Sequence, residues 1–215
     1  YMPILNSCFR GLFVALLLMI SASVSAAKVI PLDEAMGLAP NAQAGEKTYR
    51  LCAACHGKDG FGEQHGEFPS IAGQHQNVII KQILDIQVKN RINPAMYPFT
   101  DMETLGGLQG VVDIAAYAAQ LPSNNRPVTG DGKRTPAGEK LFQSNCTACH
   151  GSNAQGDNER LYPRIRNQHY PYLVRELNWI KDKIRKNADP AMVAILQNFS
   201  EQDIEAVADY LSRLD

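Results

Sequence analysis

The sequence predicts an all-α chain of two tandem domains, and three observations predict it. Landmarks in the first half recur in the second, in one order and at a nearly constant offset. Apolar residues recur at three-to-four spacing between those landmarks. A Pro-, Gly- and Asn-rich seam separates the copies. The chain has 215 residues, room for one large domain or two small ones. Its 21 Lys and Arg against 22 Asp and Glu leave a net charge of −1, which excludes a polybasic nucleic-acid binder and an acidic disordered tail. Aromatic content of 7%, with Trp179 the sole tryptophan, does not advertise a β-rich aromatic core.

Residues 1–26 read as a secretory leader. Arg10 precedes the apolar run from Leu12 to Ile20, and small residues follow from Ser21 to Ala27. Val24-Ser25-Ala26 fits a cleavage pattern, so cleavage after Ala26 is expected. The rival is a retained anchor, but the apolar run is only about half of the ~20 residues a bilayer crossing needs. Cys8 leaves with the leader. The expected mature protein is exported, with four cysteines.

Residues 27–121 form the first domain, 122–134 the linker and 135–215 the second domain. The four cysteines fall in Cys52-Ala53-Ala54-Cys55-His56 and Cys146-Thr147-Ala148-Cys149-His150, 94 residues apart. The same offset joins Pro69 to Pro163, Gln74 to Gln168 and His75 to His169. Gly45-Glu46-Lys47 recurs as Gly138-Glu139-Lys140 at 93, and Asn93-Pro94-Ala95-Met96 as Asp189-Pro190-Ala191-Met192 at 96. Ile114-Ala115-Ala116-Tyr117 is echoed by Val207-Ala208-Asp209-Tyr210 at 93, so the chain is a tandem duplication. Helices are predicted over 75–90 and 170–186, and at the amphipathic ends Val111 to Gln120 and Asp203 to Leu214. Thr135-Pro136 reads as an N-cap and first helical residue, and Ser200 with Asp203 as a capping box. The Gly-rich stretch Gly57 to Gly62 reads as a loop wrapping a bound group.

Each C-x-x-C-H has the form of a covalent haem c attachment site, and two copies imply two haems. Thiols at i and i+3 lie on one face of a helical turn, spaced for the two vinyl groups of a porphyrin, and the adjacent His56 or His150 points a ring nitrogen at the iron. A dithiol redox pair, half a zinc site and a disulfide are the alternatives. Duplication in an exported chain argues against them. For the sixth ligand the mature chain offers Met36, Met96, Met102 and Met192, with His65, His75 and His169 spare. Met96 and Met192 hold matching positions, 40 and 42 residues after His56 and His150. Met102 competes with Met96, because its 15 residues to Tyr117 are nearer the 18 of the second copy than 21 is; Thr100 with Glu103 could form a capping box, setting Met102 in a short helix that restricts where its sulfur points. His/Met ligation raises the reduction potential and suits electron transfer. His75 and His169 read as surface or helix-start residues. Pro69 and Pro163, 13 residues after their histidines, could accept the ring N–H and fix its orientation.

The duplicated C-x-x-C-H domains, Ile71-Ala72-Gly73-Gln74 before a helix and the closing Asp113-Ile114-Ala115-Ala116-Tyr117 resemble the dihaem cytochrome c4 family over essentially the whole mature chain. That resemblance implies two class I cytochrome c folds related by pseudo-twofold symmetry, each with His/Met iron. It also implies a periplasmic carrier between redox protein partners, passing electrons toward a membrane terminal oxidase, with loose membrane association. The sequence departs from the pattern between Met96 and Tyr117, 21 residues against 18 from Met192 to Tyr210, and Leu105 to Gly110 replaces a polar helix start. No catalytic constellation is left over. A dihaem oxidoreductase acting on a small inorganic substrate, or the electron-transfer subunit of a dehydrogenase, is the alternative reading. The cations Arg160, Arg164, Arg166, Arg175, Lys181, Lys183, Arg185 and Lys186 read as solvated helix surface, or as a face for an acidic partner.

Overall fold

The computed structural model describes residues 31–215; the leader and its cleavage site lie outside them. The first copy contains α1 (Leu32–Met36), α2 (Ala42–His56), α3 (Gln76–Gln87), a 3₁₀ turn (Tyr97–Phe99), α4 (Met102–Leu105) and α5 (Gly107–Gln120). The second contains α6 (Thr135–Asn145), α7 (Thr147–His150), α8 (Tyr170–Lys181), α9 (Pro190–Leu196) and α10 (Glu201–Ser212). Among the described residues the only β pairing is an isolated bridge between Asp157 and Tyr162. The fold is all-α, as expected.

In each copy the first long helix crosses the last, α2 on α5 and α6 on α10, and the middle helix closes the core. The repeated glycines have a physical reason at that crossing. A Cβ on Gly45 would lie 1.9 Å from the Asp113 carbonyl oxygen, and one on Gly138 would lie 2.0 Å from that of Ala206. Only hydrogen lets the two backbones approach so closely. The domain 1 core sets Ile80, Leu84, Val111, Val112 and Ile114 together, and the domain 2 core sets Phe142, Leu177, Ile204, Val207 and Leu211 together. Each such side chain contributes about 1.5–3 kcal/mol by leaving water. The cores hold the two C-x-x-C-H turns at the ends of α2 and α7.

Helix starts follow local chemistry, with two corrections. Asn41 caps α2 by accepting from the Ala44 N–H, and Ser200 with Asp203 forms the expected capping box on α10. Asp101, not Thr100, caps α4, accepting from the Thr104 N–H at 3.0 Å, and Met102 is its first residue. Thr135 does not cap α6. It is the first helical residue, behind Arg134, and its buried hydroxyl finds no partner. The linker is anchored rather than loose. Val128 donates its N–H to His169 Nδ1 at 3.0 Å and accepts from the Tyr170 N–H at 2.8 Å, while Arg126 pairs with Asp59 at 3.1 Å.

Pseudo-twofold symmetry is visible in the hydrogen bonds between domains. Gln168 donates to the Ser70 carbonyl at 2.8 Å and accepts from the Ser70 N–H at 2.9 Å. Gln74 does the same to Arg164, at 2.8 and 2.9 Å. Both Gln74/Gln168 and Ser70/Arg164 are repeat-related pairs, so each domain grips the same backbone segment of the other.

Candidate functional site

The two C-x-x-C-H motifs sit on similar but not identical local structure. In domain 1 the motif is the last turn of the continuous α2, ended by Gly57 at φ 77°. In domain 2 the helix breaks at Cys146, φ −116°, between α6 and α7. The break has a local cause. Asn145 donates to the Leu141 carbonyl at 2.8 Å and Thr147 to that of Gln143 at 3.1 Å, and such side-chain bonds compete with the helical ladder. The turn itself survives, because the His150 N–H still reaches the Cys146 carbonyl at 2.9 Å.

Cys52, Cys55, Cys146 and Cys149 form no disulfide. Burial pushes the Cys52 and Cys146 thiols up to about 11. Dithiol redox motifs work through a lowered pKa; these two are displaced the opposite way. Among the described residues no group of three or more His, Cys, Asp or Glu is arranged to hold a metal ion.

His56 and His150 are 6% and 7% exposed. His56 Nδ1 lies 2.9 Å from the Pro69 carbonyl, and His150 Nδ1 lies 2.9 Å from that of Pro163. A carbonyl only accepts, so Nδ1 carries the proton in both rings and Nε2 keeps its lone pair. Burial pushes both imidazoles below their ordinary value against the pull of that bond, and at His56 the Arg91 charge adds to the depression. Neutral imidazoles with an oriented Nε2 lone pair are what an iron requires. The two prolines therefore have the orienting part that their 13-residue spacing suggested.

A closed loop supports each arrangement. The Gly62 N–H bonds the His56 carbonyl at 2.8 Å, as the Gly156 N–H does that of His150. Both glycines have positive φ, 75° and 72°, and a Cβ on either would meet the proline segment within 2.6 Å. Two unbridged cysteines on one turn, an oriented neutral imidazole and a glycine-tightened loop fit covalent haem c in both domains.

The thioethers are placed differently from one another. Met192 lies within α9, half-buried against the domain 2 core alongside Cys146 and Ile165. Met96 is half-buried and caps the 3₁₀ turn that follows Asn93-Pro94-Ala95. Met102 packs into the domain 1 core with Leu105 and Leu108. His75 and His169 are helix N-caps, as expected, but they face the other domain. His75 Nε2 lies 2.7 Å from the Gln155 carbonyl and His169 Nε2 lies 2.6 Å from that of Phe61, which are repeat-related partners. His169 is 3% exposed, so it is no surface residue. His65 is exposed.

The basic cluster is also corrected. Arg160, Lys183 and Lys186 are exposed, whereas Arg164, Arg175 and Arg185 cross the domain interface. Sequence reasoning missed the interface group of Gln82, Arg91, Glu176 and Arg185. Its signal was available: Gln82 to Glu176 and Arg91 to Arg185 both repeat at 94.

Residues 136–215 match the family model described as Cytochrome c, and residues 40–117 the one described as Cytochrome C oxidase, cbb3-type, subunit III. A cytochrome c4 of Azotobacter vinelandii is 30% identical over 194 residues, covering 82% of this chain and 90% of that protein. A thiosulfate dehydrogenase electron acceptor of Stutzerimonas stutzeri is 29% identical, covering 76% of this chain and 78% of that protein. The crystal structure of reduced recombinant cytochrome c4 from Pseudomonas stutzeri matches with a TM-score of 0.74 at 28% identity, covering 82% of this chain and 100% of that one. Two tandem class I domains, each with a covalent haem c, define a dihaem electron-transfer cytochrome. The chain belongs to the cytochrome c4 family.

Among the described residues no helix is long and apolar enough to cross a membrane.

Proposed function

We propose that this protein is a periplasmic electron carrier, taking electrons from a redox protein donor and passing them toward a membrane terminal oxidase. Cys52 and Cys55 hold one haem, Cys146 and Cys149 the other. His56 with Met96 and His150 with Met192 are the axial pairs. The observation that carries the reading is the same 2.9 Å Nδ1 bond from each histidine to a proline carbonyl, which leaves Nε2 for iron in both domains. When bound, each haem supplies one-electron chemistry. The chain's own part is to hold a fixed imidazole, exclude water from it and bring the two sites together through the Gln74 and Gln168 grips. Filling both axial positions leaves no open site for a small substrate.

A second partner assignment is favoured by one comparison: the Stutzerimonas relative is named as an electron acceptor of thiosulfate dehydrogenase. Under that reading the donor is a dehydrogenase, and the chain is its electron-transfer partner.

One preparation tests the carrier reading. Intact mass of the exported protein is expected to show two haem additions on a chain starting near Ala27, retained after acid denaturation. The reduced protein is expected to be oxidised rapidly by oxidase-containing membranes. A single addition refutes the dihaem assignment. Turnover of thiosulfate or peroxide by the isolated protein at about 1–10³ per second would make it an enzyme instead.

A further inference from the structure

The peptide group that joins Pro69 to Ser70 is hydrogen-bonded at both ends. Its carbonyl oxygen accepts from His56 Nδ1 at 2.9 Å, and its N–H donates to Gln168 Oε1, in the other domain, at 2.9 Å. The group that joins Pro163 to Arg164 does the same. Its carbonyl accepts from His150 Nδ1 at 2.9 Å, and its N–H donates to Gln74 Oε1 at 2.9 Å. An unbroken hydrogen-bonded line therefore runs from each imidazole, through one peptide plane, to a glutamine of the opposite domain.

Each glutamine is itself held at both ends of its amide. Gln168 Oε1 also accepts from the His169 N–H at 3.0 Å, and its Nε2 donates to the Ser70 carbonyl at 2.8 Å. Gln74 Oε1 accepts from the His75 N–H at 3.0 Å, and its Nε2 donates to the Arg164 carbonyl at 2.8 Å. Only one placement of the amide oxygen satisfies two N–H donors and a carbonyl, so both side chains present an acceptor to the proline peptide. Gln168 is 8% exposed, which leaves water little access to compete. Fastening two surfaces requires a bond to any backbone group. Here both glutamines bond the one peptide in each domain that orients a histidine of the C-x-x-C-H motif.

A peptide group passes polarisation along. Donation by its N–H moves electron density onto its carbonyl oxygen, and bonds linked in this way strengthen one another by about 10–30%. A stronger acceptor at Nδ1–H makes the imidazole a more basic ligand, which favours Fe(III) over Fe(II). We propose that Gln168 is a positioning residue for His56 and Gln74 one for His150: each sets, from the other domain, the strength of the proline-carbonyl bond to the imidazole, and so holds down the reduction potential of the opposite haem. The inference rests on the dihaem carrier assignment. The electron comes from a donor protein and converts Fe(III) to Fe(II), with no bond made or broken in the chain.

The test compares wild-type holoprotein with Gln168→Ala, Gln74→Ala and Gln168→Glu. Haem content, measured first, separates failure of the dihaem assignment from failure of the proposal. Two quantities are then read: both potentials, by spectroelectrochemical titration, and the ring Nδ1–H signals of His56 and His150, by NMR of the reduced protein carrying isotope-labelled histidine. Gln168→Ala is expected to move the His56 signal upfield, as a weaker bond does, and to leave that of His150 in place. One potential should rise by about threefold in the reduction equilibrium, which for one electron is about 28 mV. Gln74→Ala is expected to move the His150 signal and raise the other potential. Gln168→Glu keeps an acceptor for the Ser70 and His169 N–H groups and makes it stronger. It is expected to move the His56 signal downfield, and it keeps the test open if the alanine variants load haem poorly; the ring proton alone is read there, because the new charge acts on both potentials. Signals and potentials unmoved by the alanine changes, shifts confined to the histidine of the glutamine's own domain, or a Gln168→Glu signal that stays in place would overturn the proposal and leave the glutamines as fasteners of the interface.

Discussion

Replacing Gly138 by Ala tests whether the helix crossing, rather than chain composition, builds each haem domain. A Cβ at position 138 would lie 2.0 Å from the Ala206 carbonyl oxygen, 2.5 Å from its carbon and 3.0 Å from the Tyr210 Cβ. Ordinary van der Waals contact begins near ~3.4 Å, so α6 and α10 must separate by about an ångström. The obstacle is backbone, which cannot rotate away as a side chain can. Phe142, Ile204, Val207 and Leu211 all lie in the core cluster that this crossing closes, and each is nearly or wholly buried. Overpacking of this kind costs about 3 kcal/mol, the upper end of the usual range. For a domain of ~80 residues that lowers the midpoint of thermal unfolding by roughly 12–24 °C. The assay is thermal melting of the holoprotein followed at the haem absorbance. Glu139→Ala is the control: Glu139 is exposed and should shift stability by less than about 0.5 kcal/mol. A Gly138→Ala protein that melts within about 2 °C of wild type would refute the steric argument and with it the reason given for the repeated glycines.

Two further outcomes are expected. Met96→Ala should abolish the thioether charge-transfer band of one oxidised haem and lower its potential, whereas Met102→Ala should keep both bands and cost about 1–2 kcal/mol of packing; the reverse pattern, read by near-infrared absorbance, would show that the repeats are misaligned across this loop. Burial would raise the Glu176 carboxyl, but Arg91, Arg185 and Arg175 overcome that and hold it below its ordinary value of 4.5. Its contribution to stability is therefore fully present above about pH 4.5 and is lost as pH falls through the lowered folded value. Glu176→Gln should cost about 3 kcal/mol at neutral pH by stranding buried cations, and denaturant titrations should show the gap to wild type closing in acid.

The duplication made much of the fold legible. Motifs at a nearly constant offset located the crossing glycines, the two histidines, the two prolines and the final helices, because each answers to a local or pairwise constraint. The proline carbonyls could be anticipated for the same reason: the loop between His56 and Pro69 must close on itself, and so must its twin. The break at Cys146 was harder to see, since it depends on Asn145 and Thr147 choosing carbonyls of their own helix. Asp101 outcompeted Thr100 as a cap because Thr100 is buried, with its hydroxyl on the Tyr97 carbonyl. The arginines were misread because composition cannot distinguish a cation in water from one facing another domain. The shared 94-residue offset of Arg91 to Arg185 and of Gln82 to Glu176 is the sequence signal of that interface group.

The interface also bears directly on the proposed iron ligands. The Pro69 carbonyl orients His56, and the next residue, Ser70, is held through both its N–H and its carbonyl by Gln168 of domain 2. The Pro163 carbonyl orients His150, and the next residue, Arg164, is held the same way by Gln74 of domain 1. Each imidazole is thus one peptide unit away from a clamp supplied by the other domain. Separate domains would leave those segments exposed as surface loops, free to move as loops do. Together they hold both proline segments, so the orientation of each imidazole depends on the presence of the other domain.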